Sequence, residues 1–156
     1  MQKIIPSLWF DDQAEQAAEF YTSVFPDGKI TSVLRYTAAG PGPEGSVMMV
    51  DFQINGQDVN AINGGPIFTF SEATSLIVNC ADQAEIDYFW EKLSEGGETS
   101  QCGWLKDRYG FSWQIVPADL MELTVHSDTE TVNRVMEALL TMTKLDIAEL
   151  QAAAKG

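Results

Sequence analysis

The dipeptide Asn55-Gly56 constrains this chain more than any other pair of residues. A tight two-residue hairpin needs positive φ at both central positions, which Gly adopts freely and Asn tolerates. Here Asn-Gly separates two apolar-rich runs, Val47 to Ile54 and Gln57 to Ile62, so it predicts an antiparallel pair. A turn this short also fixes the register. Ile54 must face Gln57, and going outward Phe52 faces Val59, Val50 faces Ala61 and Met48 faces Asn63, all on one side. The other side pairs Gln53 with Asp58, Asp51 with Asn60 and Met49 with Ile62. The first side is apolar and calls for a covering helix. The second mixes amides, carboxylates and apolar groups, which suits either a partly solvated ligand surface or a face turned to water.

The rest of the chain arranges itself around this hairpin. Ile4 to Phe10 reads as a strand, and Asp11-Asp12 offers N-caps for a helix carrying Ala14, Ala17, Ala18, Phe20, Tyr21 and Val24. That helix should stop before Pro26, with Pro26-Asp27-Gly28 as a turn. Ile30 to Tyr36 is a second strand, and Ala38 to Gly45 is a Gly/Pro-rich loop. After Asn63-Gly64-Gly65-Pro66 the order restarts: strand Thr74 to Cys80, helix Asp82 to Leu93 closed by Gly96-Gly97, then strands Trp104 to Lys106 and Phe111 to Val116. An internal repeat of strand, helix and strands follows, with modules at residues 1–66 and 67–126. Residues 127–156 differ. Val132, Val135, Met136, Leu139 and Leu140 form a helical stripe, and the pairs Ser127/Glu130 and Asp146/Glu149 have capping-box spacing, so two helices should end the chain. Such a stripe must be covered, either by the chain's own sheet or by a second copy, and the expectation is a homodimer.

Composition removes several function classes. With 45% hydrophobic and 21% charged residues, the chain has the apolar content of a folded protein. Nine Lys and Arg stand against 23 Asp and Glu, a net charge of −14. That is the wrong sign for neutralising phosphates, so neither nucleic acid nor an anionic membrane surface is an expected partner. No run approaches the ~20 apolar residues of a membrane span, and the first residues lack a signal-peptide layout. Two cysteines, Cys80 and Cys102, are too few for a disulfide scaffold, which points to free thiols and a cytoplasmic location.

Candidate chemistry is sparse. His126 is the single histidine, near the start of the C-terminal helices, where it is either a general base or a solvent-exposed or capping residue. Cys102 has no adjacent base and reads as a passive thiol. Asp107-Arg108 is either an anion-recognising pair or a polar turn, and Gly40-Pro41-Gly42-Pro43 is either a lid or a surface connection. Trp90 and Trp113 fall on core-facing positions. Trp9 and Trp104 have two readings, an aromatic wall for a flat or apolar ligand or core packing. Alternation along Phe111 to Val116 turns Gln114 away from the helix-facing side.

The segments Gly56 to Pro66 (GQDVNAINGGP), Thr74 to Cys80 (TSLIVNC), Trp90 to Gly97, Cys102 to Gly110, Ser112 to Pro117 and Arg134 to Leu140 resemble, in that order, the PhnB-like branch of the glyoxalase/bleomycin-resistance superfamily. Its members are often labelled demethylubiquinone methyltransferase-like. The resemblance implies an α+β vicinal-oxygen-chelate fold of paired βαβββ modules, usually in a homodimer. In metal-dependent relatives a His or Gln on the first strand of each module and a Glu on the last strand hold a divalent cation. Here the matching positions carry Ile5, Pro6 and Ser7, then Thr74 and Ser75, with Asn60 and Gln114 on the last strands. No metal and no cofactor are expected. The Gly-rich segment at Asn63 contains no G-x-G and precedes a strand, so it lacks the layout of a nucleotide-type methyl-donor site. The expected function is binding of a small molecule in the concave cup of the sheet by Trp9, Asp51, Asn60, Ser75, Trp104 and Gln114. Two alternatives stand beside it, an enzyme acting on a small metabolite and a dimeric module with a vestigial cavity. No catalytic residue is assigned.

Overall fold

The computed structural model describes residues 2–156. The chain divides into two compact units, one ending at Phe70 and the other running from Ser71 to Gly156.

The first unit contains β1 (Ser7–Phe10), α1 (Ala14–Val24), β2 (Lys29–Arg35), β3 (Val47–Ile54) and β4 (Gln57–Asn63). Its sheet has the order β1-β4-β3-β2, with β1 parallel to β4 and the other pairs antiparallel. Asn55 and Gly56 take φ of 46° and 73°, and β3 and β4 pair in the predicted register from Ile54↔Gln57 to Met49↔Ile62. The turn is held from below, because the Asp27 carboxylate accepts from the Asn55 N–H (2.7 Å) and the Gly56 N–H (2.8 Å). Val50, Phe52, Ile54, Val59 and Ala61 are buried on the apolar side, beneath α1. Ala14, Ala17 and Ala18 of that helix are fully buried, and their small size lets its axis approach the sheet while Tyr21 stacks on Phe52 with ring centroids 6.0 Å apart.

One local expectation fails. Neither Asp11 nor Asp12 caps α1; Gln13 occupies the N-cap position without a side-chain hydrogen bond. The open Ala14 N–H instead donates to Asn63 Oδ1 of β4 (2.8 Å), whose amide also donates to the Val47 carbonyl (3.0 Å). A residue 49 positions away does the work of a local cap.

The second unit repeats the plan with β5 (Ser75–Cys80), α2 (Gln83–Ser94), β6 (Glu98–Thr99), β7 (Trp104–Lys106) and β8 (Ser112–Pro117), in the order β5-β8-β7-β6 with β5 parallel to β8. These are the paired βαβββ modules of an α+β fold. Asp82 caps α2 by accepting from Glu85 N–H (2.9 Å), and Glu85 reaches back to Ala81 N–H (2.8 Å). Ile86 and Leu93 of α2 are buried, as are Leu105, Trp113 and Ile115 of the sheet it packs on; Trp90 is half-buried. Gly96, at φ 75°, ends the helix, and Gly97 passes so close to β7 that a Cβ there would lie 2.0 Å from the Lys106 carbonyl.

The C-terminal helices are present as α4 (Thr129–Thr141) and α5 (Ile147–Lys155), preceded by a short α3 (Leu120–Val125). Asp128, one residue after the expected Ser127, caps α4 through the Thr131 N–H (3.0 Å), and Asp146 caps α5 as expected. Val135, Met142, Leu145 and Leu150 form one buried cluster, against which Leu139 and Val116 of β8 pack. The turn after α4 is stitched down where Cys102 and Gly103 N–H donate to the carbonyls of Met142 and Thr143 (both 2.8 Å). Part of the α4 stripe is therefore covered by its own unit, while Met136 (38%) and Leu140 (63%) remain exposed.

Candidate functional site

Each sheet has one face under a helix of its own module, and the predicted site residues fall on the opposite, more open face, which in the second unit is covered at its Val116 end by the C-terminal helices. In the first unit, strand alternation turns Leu8 and Phe10 inward and Ser7 and Trp9 outward. Register then lines up Ser7 with Asn60 and Asn60 with Asp51, while Ser32 pairs with Asp51 on the outer strand. The side chains join across all four strands. Ser7 Oγ donates to Asn60 Oδ1 (2.8 Å), Asn60 Nδ2 donates to Asp51 Oδ1 (2.7 Å) and Ser32 Oγ donates to Asp51 Oδ2 (2.7 Å). Asn60 is buried and Asp51 half-buried. Among the described residues, no Lys or Arg side chain lies within ion-pair distance of the Asp51 carboxylate. Both of its oxygens keep a free lone pair, so the row can still accept hydrogen bonds from a donor placed over the face.

Trp9 shares this face, half-buried. Its Nε1–H donates to the Gly65 carbonyl (2.9 Å), its ring meets Phe68 edge-on with centroids 5.1 Å apart, and it lies over Gly64, where a Cβ would sit 2.1 Å from the indole. The Asn63-Gly64-Gly65 segment is thus the bed of the Trp9 ring, and Gly64 is required by that close approach.

In the second unit Gln114 Nε2 donates to Ser75 Oγ (2.9 Å), and Trp104 is the cross-strand partner of Gln114. The six predicted residues therefore form two groups of three, Trp9, Asp51 and Asn60 in one unit and Ser75, Trp104 and Gln114 in the other. Sequence reasoning misses Ser7 and Ser32 as ligand groups, although they complete the row. The hairpin register gives Asp51 opposite Asn60, but the partners supplied by β1 and β2 depend on strand order, which no turn signal encodes.

The donor set at the positions where relatives hold a metal lacks the imidazole and thiolate ligands that zinc, nickel and similar transition metals favour. Ser7, Asn60, Ser75 and Gln114 are hydroxyls and amides already bonded to one another, and imidazole is absent from all four places. Among the described residues, no group of three or more His, Cys, Asp or Glu side chains is arranged to hold a metal ion.

The remaining candidates have the following surroundings. His126 is exposed at the C-cap of α3. Asp107 is buried, accepting from Tyr109 N–H (2.8 Å), Phe111 N–H (3.1 Å) and Trp113 Nε1–H (2.8 Å), so it organises the β7–β8 turn. Arg108 pairs with Glu95. Cys80 is buried, and burial together with the carboxylates of Glu85 and Asp82 pushes its thiol up to about 12. Loop 37–46 wraps the Tyr36 ring, against which Gly40 and Gly42 lie too close for a side chain. With Arg35, Tyr36, Pro41, Glu15 and Asn63 it borders a cavity of about 620 Å³ beside the start of α1.

The family model described as 3-demethylubiquinone-9 3-methyltransferase matches residues 2–116. The match ends within β8, so the segment from Arg134 to Leu140 lies beyond it. A PhnB protein from Bacillus cereus is 40% identical with a TM-score of 0.68, covering 74% of this chain and 99% of that one. A protein from Pseudomonas aeruginosa is 19% identical, TM-score 0.62, covering 75% and 98%. A fosfomycin resistance protein from Listeria monocytogenes is 14% identical, TM-score 0.58, covering 78% and 94%, a likeness of fold alone. No curated protein matches the chain.

Proposed function

Since the chain belongs to the 3-demethylubiquinone-9 3-methyltransferase family, in the PhnB-like branch of the glyoxalase superfamily, we propose that it binds a small molecule in the concave cup of the sheet, without a metal. The observation that carries this reading is the Ser7–Asn60–Asp51–Ser32 row, a continuous polar chain with a half-buried carboxylate that no cation among the described residues neutralises. A face meant only for water has no need to converge the side chains of three strands on one carboxylate, nor to keep an aromatic wall beside them. The same reading includes Ser75, Gln114 and Trp104 as ligand groups, modules divided at 66 and 126, a homodimer, and a cytoplasmic location.

The methyl-transfer chemistry in the family's description has no support from the residues. Each sheet carries a single parallel pair, and neither presents the strand, Gly-rich turn and helix that a nucleotide-type methyl donor uses. Equilibrating the protein with a small-molecule extract, filtering and analysing what is retained by mass spectrometry tests the proposal. The wild type should retain a compound in near-stoichiometric amount, and Asp51→Ala and Gln114→Ala proteins should retain far less. Retention that neither variant reduces overturns the assignment to this face, and recovery of the compound in altered form makes the protein an enzyme.

A further inference from the structure

Resting on the reading of the open faces as ligand surfaces, we propose that the second unit contains a subsite for a small organic ammonium ion, seated between the Trp104 indole and the Ser112 hydroxyl. Where β6, β7 and β8 meet, a cavity of about 290 Å³ opens, bordered by Glu72, Glu98, Ser100, Trp104, Lys106 and Ser112. Its volume sits at the lower edge of ligand pockets, room for one ring or a short chain.

Ser112 is the reason to expect a ligand there. Its side chain is fully buried, and among the described residues its Oγ is the buried side-chain polar atom that lacks a hydrogen-bond partner. Its parallel-strand neighbour Ser75 makes no hydrogen bond to it, the Ser75 hydroxyl accepting instead from Gln114 (2.9 Å). Native structures rarely keep such an atom, since Ala fits the same space without burying a polar group unpaired. Ser112 lies on the open face by strand alternation, level with Lys106 on β7, and it borders the cavity.

The surroundings select the ligand's charge. Two carboxylates and one ammonium border the cavity, and Lys106 Nζ is already spent on Glu72 at 2.7 Å. One oxygen of Glu72 is left over, and Glu98, whose charge Lys106 also feels from across the strand pair, adds a second carboxylate to that single ammonium, within a chain whose net charge is −14. Local and global fields both repel anions and draw cations. Half-buried Trp104 supplies the side chain on which a cation is best held. An amine bearing N–H groups satisfies each element at once: it donates to Ser112 Oγ and to a carboxylate, and it rests against the indole. A quaternary ammonium has no donor for Ser112 and fits less well.

The test titrates isotope-labelled full chain with benzylamine at pH 7, where it is a cation, and follows the Trp104 indole N–H and the Ser112 and Lys106 amides by NMR. Saturable shifts at these groups are expected, with benzyl alcohol binding at least about tenfold more weakly and benzoate producing no saturation. The Ser112→Ala protein should melt no lower than the wild type yet bind benzylamine roughly tenfold more weakly, and Trp104→Leu should also weaken binding. Equal or tighter binding of benzyl alcohol or benzoate overturns the proposal, as does an unweakened Ser112→Ala protein. If benzylamine moves none of these signals while a compound retained from an extract moves Gln114 and Asn60, the ammonium subsite is wrong and the broader reading survives. If neither moves anything, both fall.

Discussion

At the residue scale, the polar groups of this chain divide into those that build the fold and those left available. Asp107 belongs to the first kind. Replacing it with Ala strips two backbone amides and the Trp113 indole N–H of their buried acceptor, and we expect a loss of about 3 kcal/mol in urea unfolding. A loss under about 1 kcal/mol would mean that the turn holds without it. Cys80 gives a pH-dependent counterpart. Its thiol is raised from 9.0 to about 12, so between those values the unfolded chain releases a proton that the folded chain keeps. The folded state then binds more protons, and stability falls as pH rises from 9 toward 12. The wild type should accordingly lose ground against Cys80→Ala over that window, and a stability difference that stays flat would sink the argument. At about pH 8, a thiol reagent should label native Cys102 but reach Cys80 only after unfolding. The donor chemistry of Ser7, Asn60, Ser75 and Gln114 leads to a further expectation, that elemental analysis finds no stoichiometric zinc, nickel or iron; near one equivalent per chain would contradict it.

At the element scale, the β3–β4 hairpin is the firmest piece of local logic. Gly56 sits at φ 73° with open space around the missing Cβ, so Gly56→Ala tests conformation alone and should cost about 1 kcal/mol, read from the denaturation midpoint. An unchanged midpoint would show that the turn relaxes to another type. The same hairpin marks how far local sequence reaches. A two-residue turn leaves no freedom in register, which is why Asp51 opposite Asn60 is legible from the amino-acid order alone. The parallel pairing of β1 with β4 depends on where α1 returns the chain, and so the part played by Ser7 and Ser32 is not. The start of α1 misleads for a related reason, since two acidic residues in the right place lose to an amide arriving from β4. Strand β6, at two residues, is too short to carry any periodicity. Ser112 gives no signal in the sequence because being unpaired is a property of surroundings, not of pattern.

At the scale of the whole molecule, association turns on what the C-terminal helices cover. They follow the segment that the family model matches, and their apolar stripe is the physical ground for expecting a dimer. The structure divides that stripe. Val135 and Leu139 pack with Leu145 and Leu150 inside their own unit, whereas Met136 and Leu140, one turn apart on α4, are exposed, as are Met121 and Val125 on the adjacent α3. Stability and association should therefore respond to different residues. Leu150→Ala removes a fully buried side chain and should cost about 3 kcal/mol without altering the sedimentation of the folded protein. The double variant Met136→Glu/Leu140→Glu touches only exposed positions and should melt like the wild type, yet it places carboxylates in the one part of the stripe that a second copy has left to bury. If α4 joins two copies, the wild type sediments as a dimer at micromolar concentration and the double variant as a monomer. A double variant that stays dimeric moves the interface elsewhere, with β2, exposed along its whole length at the sheet edge, the next surface to alter. A wild type that is monomeric at that concentration removes the dimer altogether.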